Sequence, residues 1–271
     1  MRIILSRKGF DSSKSNGVSN GNQPSPILPD GTLLSLPIPD KQGNNTFSSL
    51  SWKDLNYYND IICSLKPKTI IKPEHSCHLD PDLRKDVKDR FPGWKPAFGQ
   101  AGSALSHLRK NNVGIGDLFL FLGWFRQTEY LDGILKYKKG APDIHIIYGY
   151  MQVGEIITSF DNVPAWLKAH PHVSDGNIRG NNNAIFLPKE NLSFLPYKKG
   201  CDVLDYRDNR VLTKEGLSKG CWKLPDCFKN VNITYHPHPW RDDYFKSAGR
   251  GQEFVMEAAP EILEWVKQII Q

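Results

Sequence analysis

Leu118-Phe119-Leu120-Phe121-Leu122-Gly123-Trp124-Phe125 carries no polar side chain over eight positions. The run is far shorter than the roughly 20 apolar residues that span a bilayer. It also lacks the period-two alternation of a strand with one wet face. It therefore reads as a strand covered on both faces, at the centre of a layered domain. A second long strand runs from Ile144 to Ile157, with Gly149 and Gly154 at positions suited to β-bulges. Ile3-Ile4-Leu5 predicts a further short strand near the start.

Helices are few and short. Gly102 to Lys110 forms an amphipathic pattern that stops at Asn111-Asn112, where Asn tolerates a left-handed backbone. Pro260 to Ile270 carries an apolar stripe at Ile262, Leu263, Val266, Ile269 and Ile270, with Pro260 suited to a first helical turn. Ser51-Trp52-Lys53-Asp54-Leu55 predicts a helix start capped by Ser51. Thr69 to Lys72 predicts a strand that ends at Pro73, and Asp30-Gly31 a hairpin turn between Ile27-Leu28 and Leu33 to Leu36. With 19 Pro and 22 Gly, most connections should be irregular. One elaborated domain over residues 1–271 is expected, with a sub-boundary near 95–100.

No apolar run is long enough for a bilayer, and the start, Met1 to Lys8, is too short in apolar residues for a secretory signal. A cytoplasmic protein without membrane contact is expected. The five cysteines form no Cys-x-x-Cys pair, which suits reduced thiols. His75-Ser76-Cys77-His78 is rich in metal-ligand types, but no second cluster has zinc spacing, so no metal site is expected. No cofactor signature is legible. A net charge of +6 suits a polyanionic partner, although the Lys and Arg are spread along the chain.

Five groups of residues carry candidate chemistry. Ser6-Arg7-Lys8-Gly9, at the end of the first strand, offers phosphate-binding cations and a backbone turn, and Asp11, Ser12 and Ser13 follow. Asp11 would act as general base or hold a ribose hydroxyl; an ordinary polar turn explains the same residues. Asp30 supplies a second carboxylate behind the stiff Pro24-Ser25-Pro26 run, or only a hairpin turn. Gln100 lies in Phe98-Gly99-Gln100-Ala101-Gly102 at a helix start. Trp124, Phe125, Tyr148 and Tyr150, with Arg126 beside them, form the core or floor a base-stacking pocket. His238 and Arg241 project from a Pro-rich loop, with Arg250 in Gly249-Arg250-Gly251-Gln252-Glu253. Ala169-His170-Pro171-His172 reads as a turn. Serine-hydrolase, P-loop, zincin and Rossmann motifs are absent.

Taken together, Leu5 to Ser13, Pro24 to Gly31, Leu34 to Asp40, Gly116 to Phe121, Tyr150 to Ile156 and Gly249 to Val255 resemble the third type of nucleotide modification associated domain. The resemblance spans nearly the whole chain. It implies DNA base modification in bacteria or phages, including defence systems, with nucleotide or nucleic acid as partner and DNA favoured over RNA. It fixes no reaction. The turn Val113 to Asp117 into an apolar strand, followed by Val153-Gly154-Glu155-Ile156, is also similar to PUA-like barrels. The expected fold class is accordingly α+β: strand-rich, with a partly closed or strongly curved sheet, a PUA-like element as one form of it, and a few short helices.

Two functions compete at this point. The first is an enzyme in which Asp11, Asp30 and His238 are catalytic, and Ser6, Arg7, Lys8, Gly9, Ser12, Ser13, Gln100, Trp124, Arg126, Arg241 and Arg250 bind the nucleotide. The second is a non-catalytic reader or structural subunit of a modification complex. Convergence of Asp11, Asp30 and His238 would favour the enzyme. An aromatic cavity beside basic residues would favour the reader.

Overall fold

The computed structural model describes residues 1–11, 23–41, 43–174, 180, 182–235, 238–249 and 252–271, the side chains of Asp11 and Ser174 excepted. Nine strands form the main sheet: β1 (Arg2–Arg7), β2 (Ser25–Ile27), β3 (Phe98–Ala101), β4 (Leu118–Leu131), β5 (Ile134–Tyr137), β6 (Ile144–Ile157), β7 (Asn183–Pro188), β8 (Cys201–Val203) and β9 (Glu253–Glu257). Their order is β9-β1-β4-β6-β7-β3, while β2 and β5 pair with the far half of β4 and β8 with β6. β1 lies parallel to β4 and antiparallel to β9.

The apolar run on β4 is covered on both faces, as its composition requires. Leu118, Leu120 and Leu122 join one core with Ile3 and Leu5, closed by α2 (Pro260–Ile270) through Ile262, Val266 and Ile269. Phe119, Phe121 and Phe125 join the opposite core with Ile4 and Phe98, closed by α1 (Gly102–Lys110) through Leu105 and Leu108. α1 ends where the sequence places its stop, with Asn112 at φ 52°. Both glycines of β6 sit at register shifts, one between Ile147 and Gly149 and one between Val153 and Glu155. A third core, from Phe10 to Val87 together with Leu135, lies beneath the irregular N-terminal segment.

Two expectations are corrected. Ser51–Trp52 and Leu55–Asn56 form a small antiparallel hairpin, with Lys53 at φ 52°, rather than a helix start. The helical turn begins later, at Tyr57, because the Asn56 side chain accepts from the Tyr58 and Asn59 amides and competes as the cap. Residues 69–72 form no strand; the pairing strand is Ser76–His78, after Pro73. Ile70 points to solvent, so the short apolar stretch has no sheet to join.

The sheet curls strongly into a half-barrel. Laid flat, the six strands from β9 to β3 would separate their edges by roughly 24 Å. Instead Gln100 on β3 donates a 2.7 Å hydrogen bond to Glu253 on β9. The two ends of the strand path therefore meet.

Candidate functional site: a buried polar seam where the half-barrel closes

The meeting of β9, β1 and β3 brings charged groups into an interior otherwise filled by phenylalanines. Lys8, just past β1, places Nζ 2.6 Å from Oε1 of Glu253, with side-chain exposures of 5% and 0%. The same ammonium lies 4.5 Å from the centre of the Phe98 ring. Gln100 Nε2 donates to that same Oε1, so two donors converge on one carboxylate oxygen. The other oxygen, Oε2, is buried and has no hydrogen-bond partner among the described residues, and Ser6 Oγ is in the same position. Ser6 and Glu253 are direct cross-strand partners. Buried polar atoms are generally satisfied, so two such atoms on directly paired residues make this seam the candidate site.

A second polar cluster adjoins the first. Asp80 Oδ1 accepts from the Gly99 amide at 2.8 Å, and its Oδ2 lies 3.5 Å from His172 Nε2. His172 Nδ1 faces Asn183 Oδ1 at 2.6 Å, and Asn183 Nδ2 donates to the His172 carbonyl. That reciprocal pair fixes the amide orientation, so His172 Nδ1 is the donor. Burial pushes the Asp80 carboxyl up, but the hydrogen bond from His172 and the charges of His172, His170 and His78 together hold it well below the usual range. Gly99 is required by this packing: a Cβ there would come within 2.2 Å of the His172 ring.

Tyr148 is buried where the charges of both Asp80 and Glu253 reach it. Its phenol is driven well above its ordinary pKa, first by burial and then by the carboxylates of Asp80 and Glu253. The phenol therefore stays protonated. On the outer side, His107 stacks on Tyr235 with ring centres 4.0 Å apart, and Tyr235 holds an unfavourable φ of 79°. Burial, then the charge of Glu253, raises the Tyr235 phenol to about 12. Tyr235 itself is 40% exposed.

The residues singled out in the sequence fall into three groups. Ser6, Lys8 and Gln100 belong to the seam, and Gly9, at φ 79°, turns the chain out of it. Arg7 Nη2 donates to the Gly249 carbonyl at 2.8 Å, tying the N-terminal cations to the late glycine-bearing segment. The Asp11 side chain, Ser12, Ser13 and Arg250 lie outside the described residues. The contacts of the remainder lie elsewhere. Asp30 accepts from the Thr32 amide in its own turn. Trp124 lies under Lys219 Nζ, and Arg126 pairs with Asp143. Arg241 donates to the carbonyls of exposed His238 and of Trp240.

Glu253, Asp80, His172, Asn183 and His107 complete the arrangement without having been assigned a site role from sequence, and Tyr148, read there as core or as the floor of a base-stacking pocket, joins them. Glu253 and Tyr148 stand inside segments that were noted, and His172 inside one read as a turn. Asp80 and Asn183 carry no local signal.

The seam draws on strands from both ends of the chain, and so does a match to a known sequence family. The family described as nucleotide modification associated domain 3 matches residues 2–257. The chain belongs to this family. The match takes in every main-sheet strand and all of the seam. No curated protein and no solved structure matches the chain. Membership gives the protein a role connected with nucleotide modification and nucleotide-related partners. Among the described residues no helix is long and apolar enough to cross a membrane.

Proposed function

We propose that the protein is an enzyme that modifies a nucleotide or a nucleic-acid base, and that its chemistry takes place at the Glu253 seam. The observation that carries this reading is the Glu253 carboxylate. It is fully buried, with Oε1 held by Lys8 and Gln100 and Oε2 without a partner among the described residues. In this reading Glu253 Oε2 is the general base and Tyr148 the neutral proton donor. Lys8 and Gln100 position the carboxylate, and Asp80 holds His172. Lys8 is then a positioning group rather than a phosphate anchor, because its ammonium is already committed to Glu253.

Asp11, Ser12 and Ser13 follow Lys8 closely, and Arg250 closely precedes Glu253. They remain proposed substrate contacts on that ground, with Arg7 as the phosphate ligand. Asp30, His238, Trp124, Arg126 and Arg241 have no part in this reading. The proposed setting is the cytoplasm, with DNA as the preferred polymer, in base modification or defence.

A second reading has one specific observation in its favour. A cleft of about 340 Å³ is lined by Tyr150 together with Arg84, Lys198, Arg207 and Arg210, which suits a non-catalytic reader. Two facts weaken it. Tyr150 is buried with its hydroxyl donating to the Lys199 carbonyl, and Arg210 is occupied by Asp205 and the Ile269 carbonyl.

Mass spectrometry of nucleosides from cells expressing the protein, its Glu253→Gln or Asp11→Ala variant, or neither, separates the two. A nucleoside that appears or vanishes with the wild type, and is reduced about 100-fold or more by Glu253→Gln, is expected for a lost general base. An unchanged nucleoside pool combined with retained nucleic-acid binding would establish the reader.

A further inference from the structure

The seam is enclosed, whereas the far end of β4 carries an exposed tip. β4 and β5 form a hairpin in which Leu131 pairs with Ile134 across a two-residue turn, Asp132 at φ 51° and Gly133 at φ 76°. Both central residues at positive φ make this the tight turn that matches the twist of its strands. Tyr130, Leu131 and Ile134 expose 46–48% of their surface at the apex. Lys136, Lys138 and Lys139 follow on the return strand and its exit, all exposed, with no ion pair formed by any of them among the described residues. The base of the hairpin is fixed. Leu135 is buried in the third core, Thr128 donates to the Ile27 carbonyl at 2.7 Å, and Tyr137 donates to the Pro24 carbonyl at 2.5 Å. The tip is therefore an apolar point on an anchored ribbon, whose three lysines outnumber its two acids, Asp132 at the apex and Glu129 opposite Lys136.

We propose that this hairpin is a wedge that enters a groove of double-stranded nucleic acid, so that the substrate base is drawn from a duplex polymer and not from a free nucleotide. The proposal rests on the reading of the seam given above. A two-stranded ribbon fits the major groove, and apolar side chains pushed between base steps unstack them. A base that reacts inside a protein interior must first leave its stack, and a local unstacking lowers that barrier. β1 and β4 run parallel, so the tip lies beyond the end of the sheet at which Lys8 leaves β1. Three lysines within four positions supply phosphate contacts. Three apolar side chains at one turn are too few for a stable protein interface. Asp132 at the apex opposes insertion into hydrocarbon, while among bases it can accept from a cytosine amino group.

The test uses the full chain with duplexes carrying 2-aminopurine at successive positions, the matching single strand, free nucleotides, and vesicles of phosphatidylcholine with 30% phosphatidylserine as a control. Leu131→Ser/Ile134→Ser and Lys136→Gln/Lys138→Gln/Lys139→Gln variants are compared with wild type. Circular dichroism and melting confirm that each folds.

Wild type should raise 2-aminopurine fluorescence in the duplex about twofold or more. The tip variant should bind within roughly threefold of wild type yet lose that rise. The lysine variant should bind about tenfold more weakly, with the slope of log affinity against log salt reduced by about 2 to 3. An unchanged fluorescence rise in the tip variant, an unchanged salt slope in the lysine variant, or tighter binding to the vesicles than to the duplex would each overturn the proposal. Fluorescence behaviour as expected without any Glu253-dependent nucleoside would remove the reading of the seam and leave the wedge. A Glu253-dependent nucleoside with hairpin variants indistinguishable from wild type would do the reverse.

Discussion

Lys8–Glu253 and Lys53–Asp30 are both lysine–carboxylate pairs, set in opposite surroundings. The first spans 2.6 Å with side-chain exposures of 5% and 0%. The second spans 3.7 Å with exposures of 61% and 54%. Water screens the second pair and replaces either partner at little cost. In the first, each charge depends on the other, because solvation in the interior is unavailable to both. The sequence offered carboxylates and cations in similar numbers at both places. The fold concentrates their chemical consequence at the one it closes over.

Removing one partner is the strongest way to break this comparison. Glu253→Ala should destabilise the protein by about 3–5 kcal/mol, measured by urea unfolding, because it leaves Lys8 buried and uncompensated. Lys8→Met combined with Glu253→Leu should recover much of that loss. A double variant as unstable as the single one would mean that the pair is not coupled. Gly99→Ala probes the adjoining cluster without touching a charge. The added methyl must displace the His172 ring, and a loss of about 1–3 kcal/mol is expected.

Acid titration sharpens the contrast. The folded-state pKa of Asp80 lies below its ordinary 3.8, so its stabilising contribution is full above that value and is lost progressively as pH falls from there through the lower folded-state value. Asp80→Asn should flatten the decline of stability below about pH 4 and cost on the order of 1–2 kcal/mol near neutrality. A decline of the same steepness in both proteins would place the acid sensitivity elsewhere. The smallest effect belongs to the exposed pair. Lys53→Ala should change stability by less than about 0.5 kcal/mol.

The two long strands and both principal helices were legible because each rests on local pattern: an apolar run on β4, glycines on β6, an apolar stripe on α2. The curved sheet was expected from the resemblance to PUA-like barrels. The N-terminal segment was harder. At Ser51 to Leu55 the residues suit a helix cap and a hairpin equally, and the Asn56 side chain decides between them at short range. The candidate seam was legible only in part. Ser6, Lys8 and Gln100 stood out as polar groups at the ends of elements. Their common partner did not, because Glu253 lies 245 residues from Lys8 and 153 from Gln100. No periodicity encodes that meeting; only closure of the half-barrel does. Asp80 was invisible for the same reason, since its partner His172 arrives from a segment that reads as a turn.

The pairing of β1 with β9 also bears on how the protein is made. β1 leaves the ribosome well before its antiparallel neighbour, which is synthesised about 250 residues later. At roughly 5–20 residues per second, an apolar strand waits on the order of 10 to 50 seconds with one edge open. β4 can shelter its other edge in the interval. Such long-range pairing makes for slow folding and exposes the nascent chain to aggregation. It also means that Lys8 meets Glu253 only once synthesis has reached β9, so an interrupted chain carries half of the seam and none of its geometry.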